Sequence, residues 1–345
     1  MIDLRSDTVT LPTEEMLRSM QGLPLADETA EGDPTVRRLE EKAMSLTGKE
    51  AAVFVTSGTL GNLLAAMSHA ASGGIDIIVD HLAHLWKAEF GGVSTVAHLH
   101  CTRIPSVKGE MDLDELRDTA QILAGRHGTP PALICMETTH NYSGGSVLSL
   151  AYMQSVHEIA KEIGAPAHLD GARLFNAAAS LDIPAIEIAR HCDTLTFCLS
   201  KGLSAPFGAV LLGGGNFIKR ARIYRRLLGS GFRQIGLMAA PGLVALNTMV
   251  DRLADDNRRC AELWALLRDV DPRLVYEDRP ASNIMHLCCA GGASKDWQEA
   301  LKAEGVLCFA DGPSLLRFVT HRHITDENLA QTAAIVKKIH TALGG

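Results

Sequence analysis

Hydrophobic and polar positions along the chain fall into two regimes. In the first part, apolar runs of four to six residues recur at 51–56 (AAVFVT), 75–80 (IDIIVD), 132–137 (ALICME), 167–170 (AHLD), 194–199 (TLTFCL) and 208–212 (GAVLL). Short runs without polar alternation suit strands covered on both faces. Helical stretches lie between them, at 34–46, 60–71 and 151–163. Asp33 supplies an N-cap for the first of these, and Pro34 fits its first turn. Strands alternating with helices predict an α/β domain on a largely parallel sheet. Beyond about residue 243 the pattern changes. Residues 243–270 read as mainly helical, 283–289, 306–309 and 315–319 as short strands, and 327–343 as a closing helix. A second, smaller α+β domain follows. The expected division is an N-terminal segment 1–15, a large domain 16–243 and a small domain 244–345. No internal repeat or low-complexity linker interrupts it.

Composition narrows the function classes. The 345 residues are 46% hydrophobic, enough to bury a sizeable core without disulfides or metals. Charged residues make up 21%, the net charge is −7, and no long basic run occurs. A nucleic-acid face or a polybasic membrane anchor is therefore not expected. No apolar stretch has the length of a transmembrane helix, and the N-terminus lacks an apolar signal region. The eight cysteines form no C-x-x-C pair and mostly sit in apolar runs, which predicts buried free thiols in a cytoplasmic protein.

Three places combine polar chemistry with a strand end. Ser57-Gly58-Thr59 follows the first apolar run and precedes a helix. Free N–H groups there can bind phosphate, and glycine lets an oxyanion approach; an ordinary strand-to-helix turn has the same sequence. Asp170 ends the run AHLD, where open α/β sheets place ligands, although an N-cap would also use it. Lys201, in Leu199-Ser200-Lys201-Gly202, follows TLTFCL; a strand-end lysine reaching outward is the alternative. One strand-helix-strand unit separates Asp170 from Lys201. An amine and a carboxylate converging at a sheet edge suit pyridoxal phosphate (PLP). The amine forms a Schiff base, and the carboxylate keeps the pyridine nitrogen protonated.

Further motifs carry a resemblance. MIDLRSDTVT at 1–10, GKEAA at 48–52, THN at 139–141, DGARLFN at 170–176, CLSKGL at 198–203, GFRQIG at 231–236 and RFVTH at 317–321 run almost end to end. Together they resemble the low-specificity L-threonine aldolases, in the threonine aldolase/β-eliminating lyase group of fold-type I PLP enzymes. DGARxFNA with LSKG is specific; the stretch Asp33-Pro34-Thr35-Val36 is less so. The resemblance implies the fold-type I PLP-transferase architecture, a mostly parallel central sheet flanked by helices. It implies Lys201 as the Schiff-base residue and Asp170 at the pyridine nitrogen. His84 would stack on the ring and take part in proton transfer. Gly58 and Thr59 would hold the phosphate, with Ser200 beside Lys201. Arg173 would sit near cofactor and substrate, and Ser6 and Arg317 would bind the substrate carboxylate, so the N-terminal segment would contribute to the site. Arg226 and Arg233 match positions near a neighbouring subunit's site, and a homodimer or homotetramer with shared active sites is expected.

The implied reaction is retro-aldol cleavage of L-threonine, L-allo-threonine or a related β-hydroxy-α-amino acid to glycine and an aldehyde. The arginine clamp sets which Cα bond stands perpendicular to the ring. His84, or a water held by it, is the candidate base for the β-hydroxyl. Three places depart from the family pattern, one of them the stretch Trp86-Lys87-Ala88-Glu89-Phe90. Ala30, in Thr29-Ala30-Glu31-Gly32-Asp33-Pro34, stands where the family usually carries an aromatic, and Thr138 where asparagine is common. Ala30 leaves the substrate open and keeps β-elimination or racemisation in view. A non-catalytic scaffold on this fold is the reading from another class, and the intact Lys201, Asp170 and Arg317 argue against it. His81 and His84 lack partners at zinc-ligand spacing, so no metal is expected. His140 is a candidate supporting residue, and His321 and His323 are assigned no role.

Overall fold

The computed structural model describes residues 1–276, 278–289 and 293–343. Its centre is a seven-stranded sheet. Across it the order is Ala51–Val55, Ala209–Gly213, Thr194–Cys198, Ala167–Asp170, Leu133–Glu137, Asp76–Asp80 and His100–Ile104. Every pairing is parallel except those of Ala209–Gly213, which runs antiparallel to both neighbours. A parallel partner for Thr194–Cys198 would need a crossover of about a dozen residues or more. The connection 199–208 is shorter, so the chain turns back, and Lys201 stays on the carboxyl edge of the sheet.

The apolar runs predicted as strands are strands, with ends moved by one residue at most sites, and the central ones are wholly buried. Helices cover both faces. The helix Pro34–Thr47 begins at Asp33, whose side chain accepts from the Thr35 and Val36 amides, and it ends at Gly48 with φ 69°. Asp112 and Ser149 cap Leu113–His127 and Leu150–Ile163 in the same way.

The C-terminal part is a three-stranded antiparallel sheet, Ile284–Cys288, Leu315–Val319 and Phe309–Gly312, with Leu315–Val319 in the middle. Trp297, Phe318, Leu263 and Val336 form its core together with Ile2 and Leu4 from the other end of the chain. Ile2–Asp3 pairs in parallel with Val306–Leu307, and the Val319 amide donates to Leu4 O at 2.9 Å.

Two expectations are corrected and one strand is added. The single strand at 306–309 is two: Val306–Leu307 pairs with the N-terminus and Phe309–Gly312 with Leu315–Val319. The helical stretch 243–270 breaks between Gly236–Thr248 and Leu253–Val270. His100–Ile104 had escaped notice because, as an edge strand with partly exposed His, Thr and Arg, it is not an apolar run. Among the described residues no helix is long and apolar enough to cross a membrane, and all eight cysteines are unpaired.

Candidate active site

The parallel strands end together. Glu137, Asp170 and Thr196 stand level across three of them, so the residues that follow emerge on one edge. Asp170 is buried there. Its Oδ1 accepts from the Ala172 amide at 3.0 Å and its Oδ2 from Asn62 Nδ2 at 2.7 Å. Lys201 lies just past the adjacent strand, where its carbonyl accepts from Thr10 Oγ1 at 2.8 Å.

The turn at Ser57 opens the helix Gly58–Ala70, two residues earlier than expected, with Ser57 Oγ accepting from the Leu60 amide at 3.1 Å. A Cβ on Gly58 would come within 2.8 Å of Cys198 Sγ. Glycine therefore brings this helix start against the strand that precedes Lys201, and the Gly58 and Thr59 amides, ahead of the first intrahelical bonds, remain donors.

His84 begins a short helix, and its amide donates to Glu137 Oε2 at 2.6 Å. Its Nδ1 lies 2.9 Å from Glu89 Oε1. Burial by itself would depress the imidazole pKa. The Glu89 hydrogen bond and the fields of Asp170, Glu137 and Glu89 outweigh it, so His84 is raised. The nearest ligand-type atoms of His84, Glu89 and Asp170 lie within 4.8 Å of one another.

Arg173 is buried, and its Nε and Nη2 donate to the two oxygens of Asp7 at 2.7 and 2.8 Å. Burial would raise the Asp7 pKa; the Arg173 guanidinium overrides it and holds the carboxyl far below its usual range. Asp7 also accepts from Asn283 Nδ2 at 3.1 Å. Ser6 caps the turn Asp7–Val9, its Oγ accepting from the Thr8 amide at 3.2 Å.

Arg317 points from the middle of the C-terminal sheet toward the same region. Its Nη1 donates to Asn141 Oδ1 at 3.0 Å and its Nη2 to Arg5 O at 3.3 Å, while Nε is buried without a partner among the described residues. Burial and the field of Arg173 lower its pKa. A guanidinium with an unpaired buried N–H, beside a second guanidinium, has donor capacity that an anion could use. A cleft of about 1600 Å³, lined by Lys87, Tyr142, His286 and Asp311 among others, opens beside it.

Ser200 shares the Lys201 turn, and the other candidates lie farther off. Ser200 Oγ contacts Gly208 O at 3.5 Å. Arg233 is largely exposed; it hydrogen-bonds Thr29 Oγ1 and pairs with Asp27 at 3.4 Å. Arg226 is exposed near it, and Ala30 occupies the exposed turn that Arg233 holds. His140 is fully buried, with Nε2 3.0 Å from Asp80 Oδ2. His321 and His323 tether the N-terminal segment, bonding Asp3 O at 2.8 Å and the Leu11 amide at 3.1 Å.

Sequence reasoning had missed Asp7, Asn62, Glu89, Glu137, Asn141 and Asn283. Asp7 and Asn141 lay inside quoted motifs, so a signal was present. Asn283 carried none.

A buried acid beside a strand-end lysine, a glycine-led helix start and a partly unpaired arginine gather the marks of a ligand site on an open α/β sheet. The family model described as Beta-eliminating lyase matches residues 3–289, and the chain belongs to that family, a group of PLP-dependent lyases. It is 37% identical over 336 residues to low-specificity L-threonine aldolase 1 of Arabidopsis thaliana, covering 96% of this chain and 94% of that protein. It is 36% identical to the low specificity L-threonine aldolase of Escherichia coli K12, over 97% and 98% of the two chains. The fold matches that of Leishmania major threonine aldolase with a TM-score of 0.83, at 18% identity, over 99% of this chain and all of that one.

Proposed function

We propose that this protein is a PLP-dependent aldolase that cleaves L-threonine, L-allo-threonine or a related β-hydroxy-α-amino acid to glycine and an aldehyde. The observation that carries this reading is the placing of Asp170 and the Lys201 turn at the carboxyl ends of adjacent strands, over the Gly58 helix start. The residues fit the cofactor: a buried carboxylate for a pyridinium, a primary amine, amides for a phosphate and an imidazole at one side. Lys201 would hold it through its amine, Asp170 at the ring nitrogen, Gly58 and Thr59 at the phosphate, and His84 against the ring, with Ser200 and Arg173 alongside. Bound there, the cofactor accepts the electron pair released when Cα–Cβ breaks.

The chain's own groups do the rest. Arg317 and Ser6 receive the substrate carboxylate, and the unpaired Nε of Arg317 supports this role. Fixing the carboxylate aligns Cα–Cβ for cleavage. Asp7 takes up much of the Arg173 charge, so the incoming anion is left mainly to Arg317. His84 accepts the β-hydroxyl proton. Arg226 and Arg233, exposed beside Ala30, would serve a neighbouring subunit in a homodimer or homotetramer. The unpaired cysteines suit a reducing, cytoplasmic setting.

A substrate panel tests the reading: L-threonine, L-allo-threonine, phenylserine and serine, with products identified. Glycine with the matching aldehyde is expected. Ammonia with a keto acid would replace the aldolase with a β-eliminating enzyme, and the opposite enantiomer would replace it with a racemase.

A further inference from the structure

The polar groups behind Asp170 form a chain whose direction can be read atom by atom. His69 Nε2 lies 3.0 Å from Thr194 Oγ1, which lies 2.9 Å from His168 Nδ1; His168 Nε2 lies 3.2 Å from Asn62 Oδ1. Burial keeps both imidazoles neutral, with pKa values pushed down to about 3 for His69 and about 4 for His168. The Asn62 carbonyl can only accept, so His168 donates from Nε2 and receives at Nδ1 from Thr194. His69 in turn donates to Thr194. This fixes the Asn62 amide, whose Nδ2 then donates to Asp170 Oδ2 at 2.7 Å and to Glu89 Oε1 at 2.9 Å. Glu89 Oε1 thus already accepts once, and the 2.9 Å contact from His84 Nδ1 is its second. A proton on His84 Nδ1 lets Glu89 Oε1 accept in that contact as well, and the raised His84 pKa favours that placing.

We propose that Glu89 is a positioning residue that holds His84 as the Nδ1–H tautomer, and that Asn62, oriented by His168, ties Glu89 to Asp170. Nε2 of His84 is then the nitrogen left to exchange a proton with substrate. The arrangement parallels a carboxylate orienting a catalytic imidazole through its far nitrogen. Among the described residues Glu89 is the one acid hydrogen-bonded to the ring. Glu137, bound to the His84 backbone, and Asp170, across the Asn62 amide, also face it and add to its field. Facing Glu89 are His84, Asp170, Asn62 and Cys135. The inference rests on the aldolase reading only for what the proton transfer accomplishes.

The test follows His84 directly. Imidazole NMR of the labelled holoenzyme, with the resonance assigned through His84→Asn, gives the His84 titration. In Glu89→Gln the His84 pKa should fall by about one unit or more, since a charge in hydrogen-bond contact is removed. Glu89→Asp, which keeps the charge, should retain most of the raised value and covers the case in which the glutamine variant does not fold. The acid limb of kcat should move down in pH with it, with KM changing less than kcat. Asn62→Ala should shift both the His84 titration and the pH dependence of the cofactor absorbance, whereas Glu89→Gln shifts the first. An unmoved His84 titration in Glu89→Gln overturns the proposal, and an unmoved one in Asn62→Ala overturns the link to Asp170. The titration is read without turnover, so failure of the substrate panel sinks the aldolase reading alone.

Discussion

Asp170 and Lys201 stand at the ends of adjacent strands in one sheet, while Arg173 and Arg317 owe their positions to partners from distant parts of the chain. Register alone carries the first pair to a common edge. The second needs Asp7, 166 residues away from Arg173, and Asn141 and Arg5, 176 and 312 residues away from Arg317. One half of the site is built into a sheet. The other is a clasp formed where the N-terminal segment crosses from the C-terminal sheet to the large one. The first should tolerate loss of a side chain without loss of fold; in the second, chemistry and stability are joined.

The largest effect on chemistry is expected at Lys201. Lys201→Ala should lose the borohydride-trapped cofactor adduct and lower kcat by roughly a thousandfold or more, with thermal unfolding little changed. An adduct of unchanged yield in the variant would remove Lys201 from the assignment.

Asp7→Ala breaks the clasp. It leaves the Arg173 guanidinium buried without its counter-charge, which costs about 3–5 kcal/mol, readable by denaturant unfolding. The pH sign agrees. The Asp7 pKa is depressed in the fold, so its stabilisation is present above the ordinary carboxylate range and is lost as pH falls below it. Wild type should lose stability in acid more steeply than the variant; parallel acid profiles would mean that the pair contributes nothing.

Arg317→Ala should be milder. Its guanidinium is half-buried and makes no ion pair among the described residues, and removing a charge-assisted contact to a carboxylate should raise KM about 10–100-fold with cofactor affinity nearly unchanged. Equal loss of both would make its role structural.

Legibility followed the same divide. Apolar runs marked the buried strands because a parallel sheet covered on both faces requires them. Asp33, Pro34 and Gly48 marked a helix because capping is local. His100–Ile104 stayed hidden because an edge strand need not be apolar, and 306–309 was misread because its halves pair with different partners. Glu89 and Asn62 lay in stretches already singled out but carried no sign of their roles, since a buried polar network is defined by who meets whom across 27 and 108 residues of chain.

By itself, then, the sequence determined the alternation of strands and helices, the strand-end positions of Asp170 and Lys201 and the glycine-led turn, all set by neighbours a few residues away. Only the tertiary structure decided that Arg173 is occupied by Asp7, that Arg317 keeps an unpaired N–H, and that His84 faces a carboxylate whose orientation runs back through Asn62 to His168. Those are matters of buried donors finding acceptors, and burial brings together groups that the chain keeps apart.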